Sequence, residues 1–211
     1  MQWTRPNSTE IIQRRYNRLA AVFDWMEWPI ERVRFSGWRD RLRHSISGPR
    51  ALEAGVGTGR NMAYYPPDVA VTAIDFSERM LARAKRQAGL QNKAAAVELR
   101  CMDVERLDFP DRFFDTVFAT FVFCSVPDPV QGLRELRRVC KPGGKLLLLE
   151  HMRPGHRMLG LLFDLLNPLA VRATGANINR RTMDNLKKAG WHLRHAEDLS
   201  MGIVWWIEAV P

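Results

Sequence analysis

Glu53-Ala54-Gly55-Val56-Gly57-Thr58-Gly59 closes a short apolar run, Ala51–Ala54, and leads into a helix-like stretch from Arg60. Glycines crowded at the carboxyl end of a strand let the backbone turn sharply and approach a ligand closely. The spacing is G-x-G-x-G. A dinucleotide-binding turn, G-x-G-x-x-G, needs its third glycine for helix–strand packing, and that position is Arg60. A tight turn beside a ligand therefore survives as the reading, without the pyrophosphate.

Working outward, Asp75 lies sixteen residues after Gly59 in Ala73-Ile74-Asp75-Phe76-Ser77, at the end of the next apolar run. An acid at that edge accepts hydrogen bonds from two ribose hydroxyls and repels a 2′-phosphate. A third run ends in Cys101-Met102-Asp103-Val104, where Asp103 is placed to accept from an exocyclic amine such as adenine N6. Glu53, Asp75 and Asp103 at three successive strand ends make a coherent nucleoside pocket. Taken singly, Asp75 also suits the partner of an N-cap at Ser77, and Asp103 also suits a loop cap.

The rest of the chain has the same rhythm. Apolar runs at Ala51–Ala54, Val69–Ile74, Ala95–Leu99, Thr116–Thr120 and Lys145–Leu149 alternate with helix-period segments at Ser77–Ala88 and Val130–Cys140, the latter closed by Pro142, Gly143 and Gly144. Strand-helix alternation of this kind builds a parallel sheet with helices on both faces. His192–His195 and Ile203–Ala209 are separated by a few residues around Ser200 and Gly202, which predicts a hairpin. Before the core, apolar residues from Glu10 to about Arg43 recur three or four apart, so helices broken at Pro29 are expected.

With 211 residues, 46% apolar and 26% charged, the chain is read as one domain with a full core, neither disordered nor collagen-like. Its expected divisions are a helical cap over 1–48, a core over 49–151, an apolar insertion over 152–179, and a helix and hairpin over 180–211. The net charge of +9 is almost absent from residues 51–150, where fourteen bases meet thirteen acids. The surplus sits at the two ends, where it either attracts an anionic partner or keeps the protein soluble. Cys101, Cys124 and Cys140 have no C-x-x-C spacing and no nearby His pair, so reduced thiols in a cytosol are expected and no metal site. Met1–Ser8 lacks the apolar h-region of a signal peptide, and the greasiest stretch, Met158–Val171, is interrupted by Asp164, Asn167 and Pro168.

These motifs in this order resemble the class I S-adenosylmethionine-dependent methyltransferases over roughly residues 10–150. Glu53 to Gly59 resembles the family's first motif, Asp75 the second and Asp103 the third. Phe113–Thr120 resembles its fourth strand, and Arg138–Lys145 the turn before the fifth. The resemblance implies a Rossmann-like, doubly wound, seven-stranded and mostly parallel α/β sheet ending in an antiparallel hairpin. It also implies S-adenosyl-L-methionine as cofactor, held by Tyr16, Glu53, Gly55, Gly57, Gly59, Asp75, Phe76, Asp103, Val104, Thr120 and Phe121. Thr120 and Phe121 would line the methionine end, and Tyr16 either closes over it or is an ordinary helix-face aromatic.

Thr120–Val126 and Leu149-Glu150-His151 are similar to the branch that holds quinone-biosynthesis methyltransferases, membrane thiol methyltransferases and bacterial phospholipid N-methyltransferases. The implied acceptor is small and lipophilic or amphipathic: a phospholipid amine, a quinol or a thiol. His151, with an unperturbed pKa near neutrality, is the candidate general base, with a structural histidine as the alternative. Cys124 faces either the acceptor or the core. The apolar insertion, beside Arg153, His156, Arg157 and Arg172, is expected to act as a lid helix or to touch an anionic membrane surface peripherally. Nucleic acid is a weaker partner: +9 favours RNA, but no appended nucleic-acid domain is evident, the N-P-P-Y signature is missing after the fourth strand, and Phe121-Val122-Phe123 is apolar there.

Overall fold

The computed structural model describes Ile12, residues 36–91 and residues 97–211. Of the expected helical cap, α1 (Ser36–Ser45) falls within this range, and Tyr16 lies outside it. The elements that follow are β1 (Arg50–Ala54), a 3-10 turn (Arg60–Tyr64), β2 (Ala70–Asp75), α2 (Glu78–Leu90), β3 (Val97–Cys101) and β4 (Phe114–Thr120). The second half contains α3 (Pro129–Val139), β5 (Cys140–His151), α4 (Arg157–Thr174), α5 (Thr182–Lys188), β6 (His192–Ser200) and β7 (Val204–Val210).

One seven-stranded sheet runs in the order β3-β2-β1-β4-β5-β7-β6. Every pair from β3 to β5 is parallel, and β7 pairs antiparallel with both β5 and β6. The chain winds outward from β1 in one direction through β2 and β3, then crosses back to β4 on the other side. A crevice opens where connections diverge in this way, at the carboxyl ends of β1 and β4.

The central strands β1, β4 and β5 are largely apolar and buried because both faces are covered, whereas the edge strands β3 and β6 are more polar and exposed. Leu146 and Leu148 enter one core with Leu52, Ile74 and Phe123, while Leu147 and Leu149 enter the other with Ala73, Phe118 and Trp206. Side chains alternate across a strand, so four successive leucines serve two cores. Helix starts obey local chemistry: the Ser77 hydroxyl accepts from the Met80 N–H, and the Asp128 carboxylate accepts from the Gln131 N–H ahead of Pro129.

Several boundaries differ from expectation: β4 starts at Phe114 and not Thr116, and β6 runs on to Ser200 and not only to His195. β3 runs on to Cys101, two residues beyond the end of the Ala95–Leu99 run. β5 begins at Cys140, not Lys145, although Pro142, Gly143 and Gly144 look like a strand breaker. Cys140 pairs with Phe114 and Lys145 with Thr116, so the intervening residues bulge out between two paired positions. Lys141 ties this bulge down through its Nζ, 2.6 Å from Asp115 Oδ1.

Candidate active site

A cavity of about 120 Å³ occupies the crevice at the carboxyl ends of β1, β2 and β4. Gly55, Gly57, Asp75, Phe76, Asp103, Val104, Thr120 and Phe121, eight of the expected cofactor residues, line this one space. They come from four separate segments, and the parallel register alone brings them together.

The turn after β1 is shaped by two glycines. Gly55 has φ 71°, and a Cβ there would stand 2.4 Å from Val122 Cγ2, so glycine lets the segment after β4 close against the turn. Gly57 has φ 55°, and a Cβ there would meet nothing within 4 Å, because it faces open space at the cavity wall. Its N–H donates to Asp75 Oδ2 at 2.9 Å, and Ser77 N–H donates to Asp75 Oδ1 at 2.8 Å. Each oxygen keeps a lone pair for a further donor. Burial raises the Asp75 pKa to about 6, against the lowering pull of those two N–H groups. Asp75 is thus both the helix-cap partner and a wall residue.

Three expected residues stand elsewhere. Glu53 is fully buried on the α1 side of the sheet, outside the cavity wall. Alternation along β1 turns it away from Leu52 and Ala54, toward Asn61 and Tyr65, which both donate to its carboxylate. Burial lifts its pKa to about 7, and the two hydrogen bonds and Arg39 pull it back down. Gly59 caps the 3-10 turn and packs close to Met62 and Ala84, not against the cavity. His151, at the end of β5, lies behind Phe121 with ring centroids 6.0 Å apart; it is not in the wall, and its buried Nδ1 has no hydrogen-bond partner among the described residues. Cys124 is buried in the core, where desolvation drives its thiol pKa up, as for an inert side chain.

Two polar wall residues, Arg39 and Asn61, were not among those expected from the sequence. Arg39, from α1, reaches the cavity and donates to Asn61 and, at 3.2 Å, to Thr120 Oγ1. Asn61 also donates to Thr120 Oγ1 at 2.9 Å. The Thr120 hydroxyl accepts twice, which uses both lone pairs and frees its hydrogen as a donor at the wall. Asn61 was findable as the second residue past the glycine turn. Arg39 was not, since nothing local marks one arginine among ten in the first fifty residues.

Beyond Thr120 the chain leaves the sheet. Phe121 adopts φ 56°, an uncommon left-handed state for a large side chain. The irregular backbone that follows is held by the buried Glu150 and the half-buried Asn177 and Arg180. Glu150 Oε1 accepts from Val122 N at 2.7 Å and Phe123 N at 3.0 Å, and burial raises the Glu150 pKa to about 7. Arg180 donates to the carbonyls of Phe123 and Val126, and Asn177 to that of Cys124. Val122, Ser125, Val126 and Pro127 complete this side of the wall.

A model of the methyltransferase domain family matches residues 52–148, the span from β1 to β5. A phosphatidylethanolamine N-methyltransferase from Cereibacter sphaeroides is 41% identical over 143 residues, covering 67% of this chain and 68% of that protein. The chain belongs to the class I S-adenosylmethionine-dependent methyltransferases. A ubiquinone/menaquinone biosynthesis C-methyltransferase from Geobacter sulfurreducens is 31% identical over 70% of this methyltransferase, which spans 57% of that relative's length. A solved structure from Thermotoga maritima, described as an S-adenosylmethionine-dependent methyltransferase and possible histamine N-methyltransferase, superposes with a TM-score of 0.70 at 21% identity, covering 93% of this chain and 98% of that one. The last likeness shows the fold.

S-adenosylmethionine is the cofactor of this methyltransferase, and the donor and acceptor groups present fit it. Acid oxygens with spare lone pairs stand at the β2 and β3 ends, an open glycine face lies at the β1 end, and a buried arginine with a free hydroxyl donor stands at the β4 end.

Proposed function

We propose that this methyltransferase acts on the amine of phosphatidylethanolamine or a closely similar amphipathic lipid, at the inner face of a membrane. The observation that carries the acceptor is the 41% identity with the phosphatidylethanolamine enzyme, well above the 31% with the quinone enzyme. The largely apolar segment Phe121–Pro127 beside the cavity supports it.

S-adenosylmethionine supplies a methyl group on a sulfonium, which a nucleophile takes in line, so that neutral S-adenosylhomocysteine leaves. In our reading Asp75 accepts from the ribose hydroxyls and Asp103 from the exocyclic amine. Arg39 and the Thr120 hydroxyl hold the carboxylate end, where a charge-assisted bond in a buried site counts most. Phe121 and Val122 exclude water and set the approach of the acceptor. Positioning of this kind yields large rate gains without a strong acid or base. The titratable groups of the wall are Arg39, Arg60, Asp75 and Asp103, and His151 stands behind it. His151 is therefore retained as a proton acceptor only through an intermediary such as water.

The test is release of S-adenosylhomocysteine when the protein and S-adenosylmethionine meet phosphatidylethanolamine vesicles, a demethylated quinol, an alkyl thiol or bulk RNA. Turnover on the vesicles is expected. Turnover on the quinol alone would transfer the reading to the quinone branch, and turnover on RNA alone would remove lipids from it.

A further inference from the structure

The helix after β5 is built inside out. In α4, Met158, Leu161, Leu162, Leu165, Leu166 and Leu169 are 73%, 56%, 47%, 77%, 43% and 68% exposed. Spacings of three and four put all six on one stripe along a helix about 27 Å long. Six of the nine exposed large hydrophobic residues among the described residues lie on this one element, so they form a patch and not ordinary scatter.

The polar side chain of the helix turns the other way. Asp164 accepts from Arg153 through both oxygens, at 3.0 and 2.8 Å, and from Asn179 at 3.0 Å. Gly160, the one buried residue of α4, leaves room for that guanidinium, which a Cβ would meet at 2.4 Å. With Asp164 neutralised by Arg153, the other charged residues of α4 are Arg157 and Arg172, exposed near its two ends. An apolar stripe with cations at its ends, on a helix that is not long and apolar enough to cross a membrane, matches the interface of an anionic bilayer.

The helix is also wired to the cavity. Ile178 N–H donates to Asn167 Oδ1 at 2.9 Å, and Asn177 donates to the Cys124 carbonyl through both its backbone N–H, at 2.8 Å, and its side chain. The segment leaving α4 thereby grips residues 121–127, the acceptor side of the wall.

We propose that α4 is an interfacial docking helix that lies in the plane of an anionic membrane surface and holds the 121–127 wall against the lipid headgroups. This deepens the lipid-acceptor reading, from which it takes its purpose, while its physical content is membrane binding alone.

The experiment is flotation of the full chain with vesicles of phosphatidylcholine and phosphatidylglycerol, with no cofactor added. The wild type should float, the variant Leu161→Asp/Leu165→Asp/Leu169→Asp should lose roughly tenfold or more in vesicle affinity, and Arg157→Glu/Arg172→Glu should lose roughly fivefold per residue only when the anionic lipid is present. Thermal melts report whether the triple variant is folded; if it is not, Leu165→Asp alone makes the same comparison with a several-fold loss. Equal flotation of wild type and leucine variant overturns the proposal. So does a dimer that the leucine variant splits while vesicle affinity stays unchanged, since the stripe would then cover a second copy. Flotation needs no turnover, so loss of flotation in the variant upholds the docking helix even if no lipid is methylated.

Discussion

The crevice at the β1 and β4 ends and the helix that follows β5 break the usual sorting of side chains in opposite directions. Around the crevice, Glu53, Asp75 and Glu150 are buried carboxylates at 0%, 6% and 0% exposure, while on α4 leucines stand at up to 77%. Each inversion has a local cost. The acids lose hydration and are pushed up in pKa, and the leucines forgo burial worth about 1.5–3 kcal/mol apiece. The acids are compensated inside the chain, by N–H groups, Asn61, Tyr65 and nearby arginines. The leucines have no compensation within the described residues, and in the membrane-docking reading theirs comes from the lipid. Departures from good packing are therefore informative according to where they are repaired.

The largest effect expected from this contrast is on stability. Leu148→Ala, at 0% exposure on β5, should cost about 2–5 kcal/mol, whereas Leu165→Ala should stay within about 0.5 kcal/mol in urea unfolding. Comparable losses at the two positions would mean that α4 is packed in solution and would collapse the contrast.

A smaller effect separates the buried acids from simple structural polar groups. An unfolded Glu150 releases its proton near pH 4.5, while the buried one holds it to about pH 7, so between these values the unfolded state binds fewer protons. Stability is then fully present below pH 4.5 and declines as pH rises to about 7; Glu53 and Asp75, also raised, add to the same slope. Glu150→Gln keeps an oxygen for the Val122 and Phe123 N–H groups and cannot ionise. Its fall in unfolding free energy between about pH 5 and pH 8 should be shallower than that of the wild type by on the order of 1–3 kcal/mol. An identical slope would show that Glu150 is ionised throughout.

Much of this was readable from the chain because strands and turns obey short-range rules. The glycine turn, the acids at the β2 and β3 ends, the Ser77 cap and the final hairpin each depend on a few neighbouring residues. Other features depend on contacts between distant segments. Nothing near Arg39 foretells that α1 delivers it to Thr120, eighty-one residues on, and nothing in Leu149-Glu150-His151 shows that Glu150 clamps the chain after β4 while His151 turns behind Phe121. Pro142-Gly143-Gly144 reads as a break, yet β5 runs through it as a bulge pinned by Asp115. The apolar character of 158–169 was plain. Which way it faces was not, because a stripe fits a covering lid or an exposed surface equally well until the Arg153–Asp164 pair fixes the inner side.

The claim on which the rest depends is that the cavity under Gly57 and Asp75 is the cofactor site. Calorimetric titration of S-adenosylhomocysteine into the wild type and Asp75→Ala tests it directly. Tight binding to the wild type and at least a roughly tenfold loss in the variant are expected, since charge-assisted bonds worth about 1.5–3 kcal/mol disappear and two hydroxyls are left unpaired. Equal affinity of the two proteins, both folded, would contradict the assignment.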